Sequence, residues 1–192
     1  MSFFLSDPAP LPPAHTAPVT ELCHSAKFGL VASLAPGECA LWTLDRTPSL
    51  LRTLHPPAGQ TFARVAFTDE SAALLTSTNR VVLFSLETFE LLPAFVEIPA
   101  EERVVFFKLV GKYLYALTAS GTIFYISRNL ARMRTRSLDL ALPIARASNS
   151  SGSLFLLLED GRLVRIQQND VDTLGLPTVA RFDVDSVGRE IL

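Results

Sequence analysis

The sequence has little of three things that several protein classes need: cysteine, net positive charge and long apolar runs. Its two cysteines, Cys23 and Cys39, cannot form the disulfide framework of a small secreted module. No apolar run reaches the roughly 18–20 residues that a membrane-spanning helix needs. A formal net charge of −2 argues against a surface that binds nucleic acid everywhere. These absences lead us to expect a soluble protein inside the cell, in the cytoplasm or nucleus.

The sequence also lacks the patterns that carry catalysis. It contains no glycine-rich phosphate loop, no nucleophile elbow and no dinucleotide fingerprint. The three histidines, His15, His24 and His55, have no metal-binding companion at helical or Cys-x-x-Cys spacing. Cys23, His24 and Cys39 would supply only three metal ligands, in the wrong order, and buried thiols are the simpler interpretation. We therefore expect a protein that is not an enzyme and that binds no metal, cofactor or small-molecule substrate.

A repeated strand, turn, strand pattern is the strongest positive feature of the chain. It is clearest in Ser71–Glu87, where Asn79 separates two apolar runs and tolerates the positive φ that a tight hairpin turn requires. The same pattern recurs around Gly37, Gly121 and Gly161. The four turn residues are 42, 42 and 40 positions apart, within the window of about 40–45 residues expected of four-stranded propeller blades.

The strands around these turns predict how each unit packs. The two hairpin strands are nearly continuous apolar runs, which is typical of strands buried on both faces. The fourth strand is more polar, and in the second copy it contains Pro93, which an edge strand tolerates. Five positions after each turn residue stands a large apolar residue, which we expect between neighbouring sheets: Trp42, Phe84, Ile126 and Ile166.

The pattern divides the chain into a proline-rich arm, residues 1–18, and a region of β-sheet units, residues 19–192. The approximate units are 19–55, 62–97, 102–139 and 143–180, with residues 181–192 as the possible start of a further one. The connecting segments have no helical period, so the prediction is an all-β protein. Two other roles for the arm stay open. Residues 11–13 would suit an aromatic groove as a docking peptide, and residues 3–5 would pair with the last strand to close a ring.

The spacing, the glycine turns and the bulky residue late in the third strand resemble WD-repeat β-propeller blades over residues 19–192. The resemblance implies about four four-stranded antiparallel blades, as part of a larger or partner-completed propeller. No Gly-His dipeptide opens a unit, and Trp42 is followed by Thr43 rather than by aspartate. We therefore do not expect the family's Asp-His-Ser-Trp network, and packing and backbone ladders alone would hold the blades. A β-sandwich is the rival architecture, although it does not require the repeat.

One local charge pattern suggests a binding surface. Arg132, Arg134 and Arg136 occupy alternate positions of a predicted strand, so they project from one face, and Arg128 lies just before it. Such arginines would bind the carboxylates of an acidic partner or the phosphates of nucleic acid. The alternative is that they only protect an exposed edge from aggregation.

These observations favour a non-catalytic protein-protein interaction scaffold or a subunit of a larger intracellular assembly. The alternative is a propeller subunit of an RNA-binding or RNA-modifying complex that uses the arginine strand. A protein partner is expected because an incomplete ring would leave apolar faces and strand edges bare at both ends. A missing carboxy-terminal half, a second copy bound head to tail and a compact four-bladed ring are the other ways to cover them.

Overall fold

The computed structural model describes four stretches of the chain, residues 14–44, 48–150, 153–167 and 180–182. All regular secondary structure in these stretches is β-strand. No helix that could span a membrane occurs in them. The roles predicted for residues 3–5 and 11–13 fall outside the described residues.

In the described part of the chain sixteen strands form four four-stranded antiparallel sheets, and the strands of each sheet follow one another in chain order. The first sheet contains β1 (Glu21–Ser25), β2 (Leu30–Ala35), β3 (Glu38–Thr43) and β4 (Ser49–Leu54). The second contains β5 (Phe62–Phe67), β6 (Ser71–Thr76), β7 (Arg80–Ser85) and β8 (Leu91–Glu97). The third contains β9 (Val104–Val110), β10 (Tyr113–Thr118), β11 (Thr122–Ser127) and β12 (Met133–Ser137). The fourth contains β13 (Ile144–Ser150), β14 (Ser153–Leu158), β15 (Leu163–Gln167) and β16 (Ala180–Phe182).

Four successive antiparallel sheets of this kind are the blades of a four-blade β-propeller, so the all-β blade prediction is confirmed and the sandwich is wrong. Residues 180–182 pair with β15 as the fourth strand of the fourth sheet. Residues 181 and 182 therefore do not begin a further blade, and the rest of that predicted segment, residues 183–192, lies outside the described residues.

The hairpin turns explain why the repeat is visible in the sequence. Asn79, Gly121 and Gly161 have φ angles of 58°, 90° and 87°, a region that glycine and asparagine adopt most easily. In each turn the amide of this residue donates to the carbonyl three positions earlier. The first hairpin is tighter, because Pro36 and Gly37 alone connect its strands, and Gly37 does not adopt a positive φ.

The residues five positions after the turns occupy corresponding places in the four sheets, as predicted. Each lies on the third strand of its sheet, is buried, and pairs with a residue near the start of the second strand. The four pairs are Trp42 with Val31, Phe84 with Ala72, Ile126 with Leu114, and Ile166 with Leu154.

The chain divides into two compact units, Met1–Phe95 and Val96–Leu192. In the first unit a core lies between the first two sheets, where Cys39 and Leu41 of β3 share a cluster with Val82 and Phe84 of β7. The Cys39 thiol is fully buried, and this burial, with smaller effects of Cys23 and Glu21, raises its pKa to about 12.

The second unit has a corresponding core between the third and fourth sheets, which joins Ile123 of β11 to Val164 and Ile166 of β15.

An equivalent hydrogen bond joins the sheets in each unit. The Phe62 amide, at the start of the second sheet, donates to the carbonyl of Pro36 in the preceding hairpin turn, at 2.7 Å. The Ile144 amide, at the start of the fourth sheet, donates to the carbonyl of Ala119 at 2.8 Å. The repeat seen in the sequence therefore extends to the contacts between successive sheets.

Candidate functional site

The arginines singled out from the sequence lie on and beside β12, the outer strand of the third sheet. The register places Arg134 opposite Tyr125 and Arg136 opposite Ile123. Arg134 and Arg136 therefore share a face of β12. Arg132 lies one residue before the strand begins, where its carbonyl still accepts a hydrogen bond of 2.9 Å from the Ser127 amide. The common face of all three arginines and its binding role stay predictions.

The four arginines do not form one continuous surface. Arg132 and Arg134 are exposed, whereas Arg136 is half-buried. Arg128 is also half-buried, and its Nη2 donates a hydrogen bond of 2.6 Å to the carbonyl of Gly111, in the turn between β9 and β10. Arg128 thus belongs with Arg132 and Arg134 at one end of the sheet, and Arg136 lies closer to the other end.

Two lysines and a tyrosine that no spacing pattern of the sequence indicated share this end of the sheet. Tyr113 opens β10 directly after the Gly111 turn, and Lys112 beside it is exposed. Lys108 of β9 pairs with Tyr115, which places it on the same face as Arg134. We call this region the basic end, and it consists of Lys108, Lys112, Arg128, Arg132 and Arg134.

Charge is segregated along the third sheet. From Arg103 to Leu138 the sequence contains seven basic residues and no acidic residue, so all 19 acidic residues lie elsewhere. Two acidic contacts lie at the opposite end of the sheet: Ser120 Oγ donates to Glu102 Oε2 at 2.7 Å, and Arg103 is 3.7 Å from Glu159. This acid-free segment is the sequence signal that would have located the basic end.

Three tyrosine rings extend from the basic end towards the core. The ring of Tyr125 lies 6.5 Å from that of Tyr113 and 4.8 Å from that of Tyr115, with both pairs close to edge-to-face. Tyr113 is 37% exposed and Tyr115 only 3%. The cluster therefore presents one aromatic ring at the surface and anchors it through two rings beneath.

A second surface is the outer face of the first sheet, the face turned away from the core of its unit. It consists of Leu22, Val31 and Trp42, flanked by Val19 and Leu44. Leu22 is 65% exposed, and Val19 and Leu44 are each 47% exposed. These residues line an apolar groove of about 460 Å³. Exposed aliphatic side chains gathered in this way mark an interaction site more often than scattered ones do.

A hydrogen-bonded network lies at the base of this groove. Trp42 Nε1 donates to Ser33 Oγ at 2.8 Å, and His15 Nε2 lies 2.6 Å from the same oxygen. The serine hydroxyl donates to Nε2 or accepts from it according to the tautomer of the imidazole, whose other nitrogen is Nδ1. That nitrogen lies 3.6 Å from Glu38 Oε1. The expectation that packing and backbone ladders alone hold the sheets is therefore wrong for the first sheet.

Serine, histidine and glutamate in this order have the appearance of a nucleophile with its base, yet the surroundings suit a structural role. The Trp42 N–H bonds to Ser33 Oγ, and Ser33 is only 6% exposed. The network joins four places in the fold: the arm, β2, and both ends of β3. Its effect is to fasten residues of the arm to the first sheet.

Glu38 is the second fastening point of the arm. Its Oε1 accepts a hydrogen bond of 2.6 Å from the Thr16 amide and one of 3.2 Å from the Thr16 hydroxyl. The amide bond is the largest cause that holds the pKa of Glu38 below its ordinary value, and His15 and His55 act in the same direction, whereas burial opposes them. The carboxylate thus stays charged to lower pH than a free one.

The described residues contain no group of three histidine, cysteine or acidic side chains placed to hold a metal ion. Cys23 and His24 are successive residues of β1, so they face opposite sides of the sheet.

No protein-family model matches the chain, and a search of curated proteins finds no similar sequence. Among solved structures, the chain is similar to the computationally designed Ika4 protein. The sequence identity is 17%, the TM-score is 0.59, and the alignment covers 80% of this chain and 92% of that chain. At this identity the likeness shows the fold alone.

Proposed function

We propose that this protein is a non-catalytic interaction module, a subunit of a larger intracellular assembly, that binds a protein partner through the outer face of the first sheet. The observation that carries the proposal is the exposure of Leu22, Val19 and Leu44 around the buried Trp42. Water is in contact with aliphatic side chains there, and covering them would stabilise a complex by roughly 25 cal/mol for each Å² buried.

The repeat indicates what kind of surface fits this face. In the second sheet the residue equivalent to Trp42 is Phe84, and it packs in one core with Cys39 and Leu41 of the first sheet. In the fourth sheet the equivalent residue is Ile166, which packs in one core with Ile123 of the third sheet. Each of these faces is covered by a sheet that presents aliphatic or small residues at alternate positions. We infer that the partner presents a β-sheet face of the same kind.

The fastened arm prepares the outer face for binding. His15 and Thr16 are held against Ser33 and Glu38, so the wall of the groove that the arm provides is fixed before a partner arrives. A surface ordered in advance loses less conformational entropy on binding. The same network, with glutamate in place of aspartate, supports the resemblance to WD-repeat blades as part of this proposal.

The proposal is tested by comparing two leucines of the same sheet. Leu22→Asp places a charge in the groove, and Leu51→Asp places one on β4, at a leucine that is 44% exposed and does not line the groove. Each protein is used to capture partners from an extract of the source organism, and a captured protein is then titrated with all three chains. We expect Leu22→Asp to weaken binding at least about tenfold and Leu51→Asp to bind as the wild type does.

Equal binding by all three chains, or equal loss in both variants, would show that the outer face is not the docking surface.

A further inference from the structure

We propose that the basic end of the third sheet binds a single strand of nucleic acid, with phosphates on Arg132, Arg134 and Lys112 and a base stacked on Tyr113. This site is on a different sheet from the outer face of the first, and the inference does not depend on the proposed function. A protein that has both surfaces would bring a protein partner and a nucleic acid together.

Charge is the first argument. Seven basic residues and no acidic residue occur between Arg103 and Leu138 in a chain whose formal net charge is −2. The structure gathers five of the seven at the basic end, and two acidic contacts of this sheet, at Glu102 and Glu159, are at the other. A local positive field on an overall acidic protein attracts a polyanion to one place and leaves the remaining surface unfavourable for it.

The placement of the cations is the second argument. Arg132 and Arg134 are exposed at alternate positions where an outer strand begins, about 6.6 Å apart along its axis. Arg128 donates a hydrogen bond to the Gly111 carbonyl. This bond joins the turn after β11 to the turn between β9 and β10, which also contains the exposed Lys112. The cations therefore form a track along the sheet edge rather than a single point, as contact with an extended phosphate backbone requires.

The tyrosines are the third argument, and they favour a nucleic acid over an acidic peptide. Tyr113 is 37% exposed, and its ring is held edge-to-face against Tyr125, 6.5 Å away. A ring fixed in this way offers a flat surface on which a base can stack irrespective of its sequence. Carboxylates of an acidic protein segment would use the arginines and leave the tyrosine without a role.

The experiment uses the full chain and a fluorescein-labelled single-stranded RNA of uridines, about 12 nucleotides long. Fluorescence anisotropy gives the affinity at salt concentrations from about 50 to 200 mM. With the three phosphates on Arg132, Arg134 and Lys112 neutralised, the slope of log K against log salt is expected to be about −2.1. The variant Arg132→Gln/Arg134→Gln should bind about tenfold more weakly, and its slope should fall to about −0.7.

Two further variants make the result specific. Arg52→Gln/Arg146→Gln removes two arginines that are also exposed but lie on other sheets, and it should bind RNA as the wild type does. Tyr113→Leu keeps the charge and removes the ring, and it should weaken binding about tenfold without changing the salt slope. Circular dichroism of all variants checks that the fold is intact.

Several results would overturn the inference. Absence of RNA binding at the lowest salt would do so, and so would an equal loss in the Arg52→Gln/Arg146→Gln control. Displacement of the RNA by a glutamate-rich peptide of equal charge, with no effect of Tyr113→Leu, would show that the surface takes acidic protein segments instead. If the chain associates with itself, and if both added salt and the Arg132→Gln/Arg134→Gln change abolish that association, the basic end serves contacts between copies instead.

Discussion

Trp42 Nε1 donates a hydrogen bond of 2.8 Å to Ser33 Oγ, nine residues away on the neighbouring strand. Both side chains are buried, so an indole that packs on the outer face of the first sheet also has its polar atom satisfied. The serine in turn contacts His15, and through it the arm is held to the sheet.

Removing this indole donor should cost stability. Trp42→Phe leaves Ser33 without its donor in a buried place, and we expect a loss of about 1–3 kcal/mol in the free energy of unfolding, measured by urea denaturation. Thr43→Val is the matched control. It removes the exposed hydrogen bonds of the Thr43 hydroxyl to Ser49 Oγ at 2.9 Å and from the Ser49 amide at 3.3 Å, and it should change stability by less than about 0.5 kcal/mol. Equal effects of the two changes would mean that the network contributes nothing beyond a surface contact.

Acid should loosen the arm through Glu38. The pKa of this carboxyl is lower in the folded protein than its ordinary value of 4.5, so the unfolded chain binds a proton at a higher pH. The stabilising contribution is therefore complete above about pH 4.5 and is lost as the pH falls through the lowered value.

Glu38→Gln should remove this dependence. We expect the stability difference between wild type and variant to be constant between pH 7 and about pH 5 and to shrink below that. Urea denaturation at a series of pH values measures it. A difference that grows on acidification would contradict the assignment.

The repeat predicts that Phe84 is a principal packing residue between the first two sheets. It is 6% exposed, and its ring meets that of Phe62 edge-to-face at 6.2 Å. Phe84→Ala should cost about 3–5 kcal/mol in the free energy of unfolding, the usual range for a buried aromatic residue. Phe95→Ala is the control, since Phe95 is 50% exposed and should cost far less. Similar losses in thermal or urea denaturation would show that Phe84 is not in an interior site.

An uncovered apolar face should also affect the isolated chain. We expect light scattering on the purified protein to show association that grows with concentration, because exposed aliphatic residues of two copies reduce their contact with water by meeting. Leu22→Asp should reduce this association, and Leu51→Asp should not. A monomer at every concentration, with a cooperative melt, would contradict the presence of a surface that needs a partner.

Most of the fold could be read from the sequence because turns and strands are local. Gly121 and Gly161 adopt positive φ in their turns, and the four residues five positions after the turns are buried at corresponding places on third strands. The position of β16 could not be read, since only three residues of it pair with β15 and the segment before it carries no regular pattern. The expectation of a further blade from residue 181 onwards was therefore wrong at residues 181 and 182.

The candidate surfaces were only partly visible, because they depend on residues far apart in the chain. His15 contacts Ser33, which is 18 positions away in the sequence. Because His15 lies outside the predicted strands, no spacing rule indicated the network. The arginines of β12 were recognised from their alternation. Lys108 and Lys112 were not recognised. They lie on β9 and in the turn before β10, and only the register of the sheet places them beside the arginines of β12. The lack of acidic residues from 103 to 138 was the available signal.

The most direct test of the account places a photo-crosslinking amino acid at position 22 of the full chain, and separately at position 51, and irradiates each in an extract of the source organism. If the outer face of the first sheet is the interaction surface, position 22 gives a crosslink to a distinct protein, position 51 does not, and the crosslinked peptide of the partner maps to a β-sheet face. Crosslinks of equal yield from both positions, or crosslinks from position 22 only to a second copy of the chain, would contradict it.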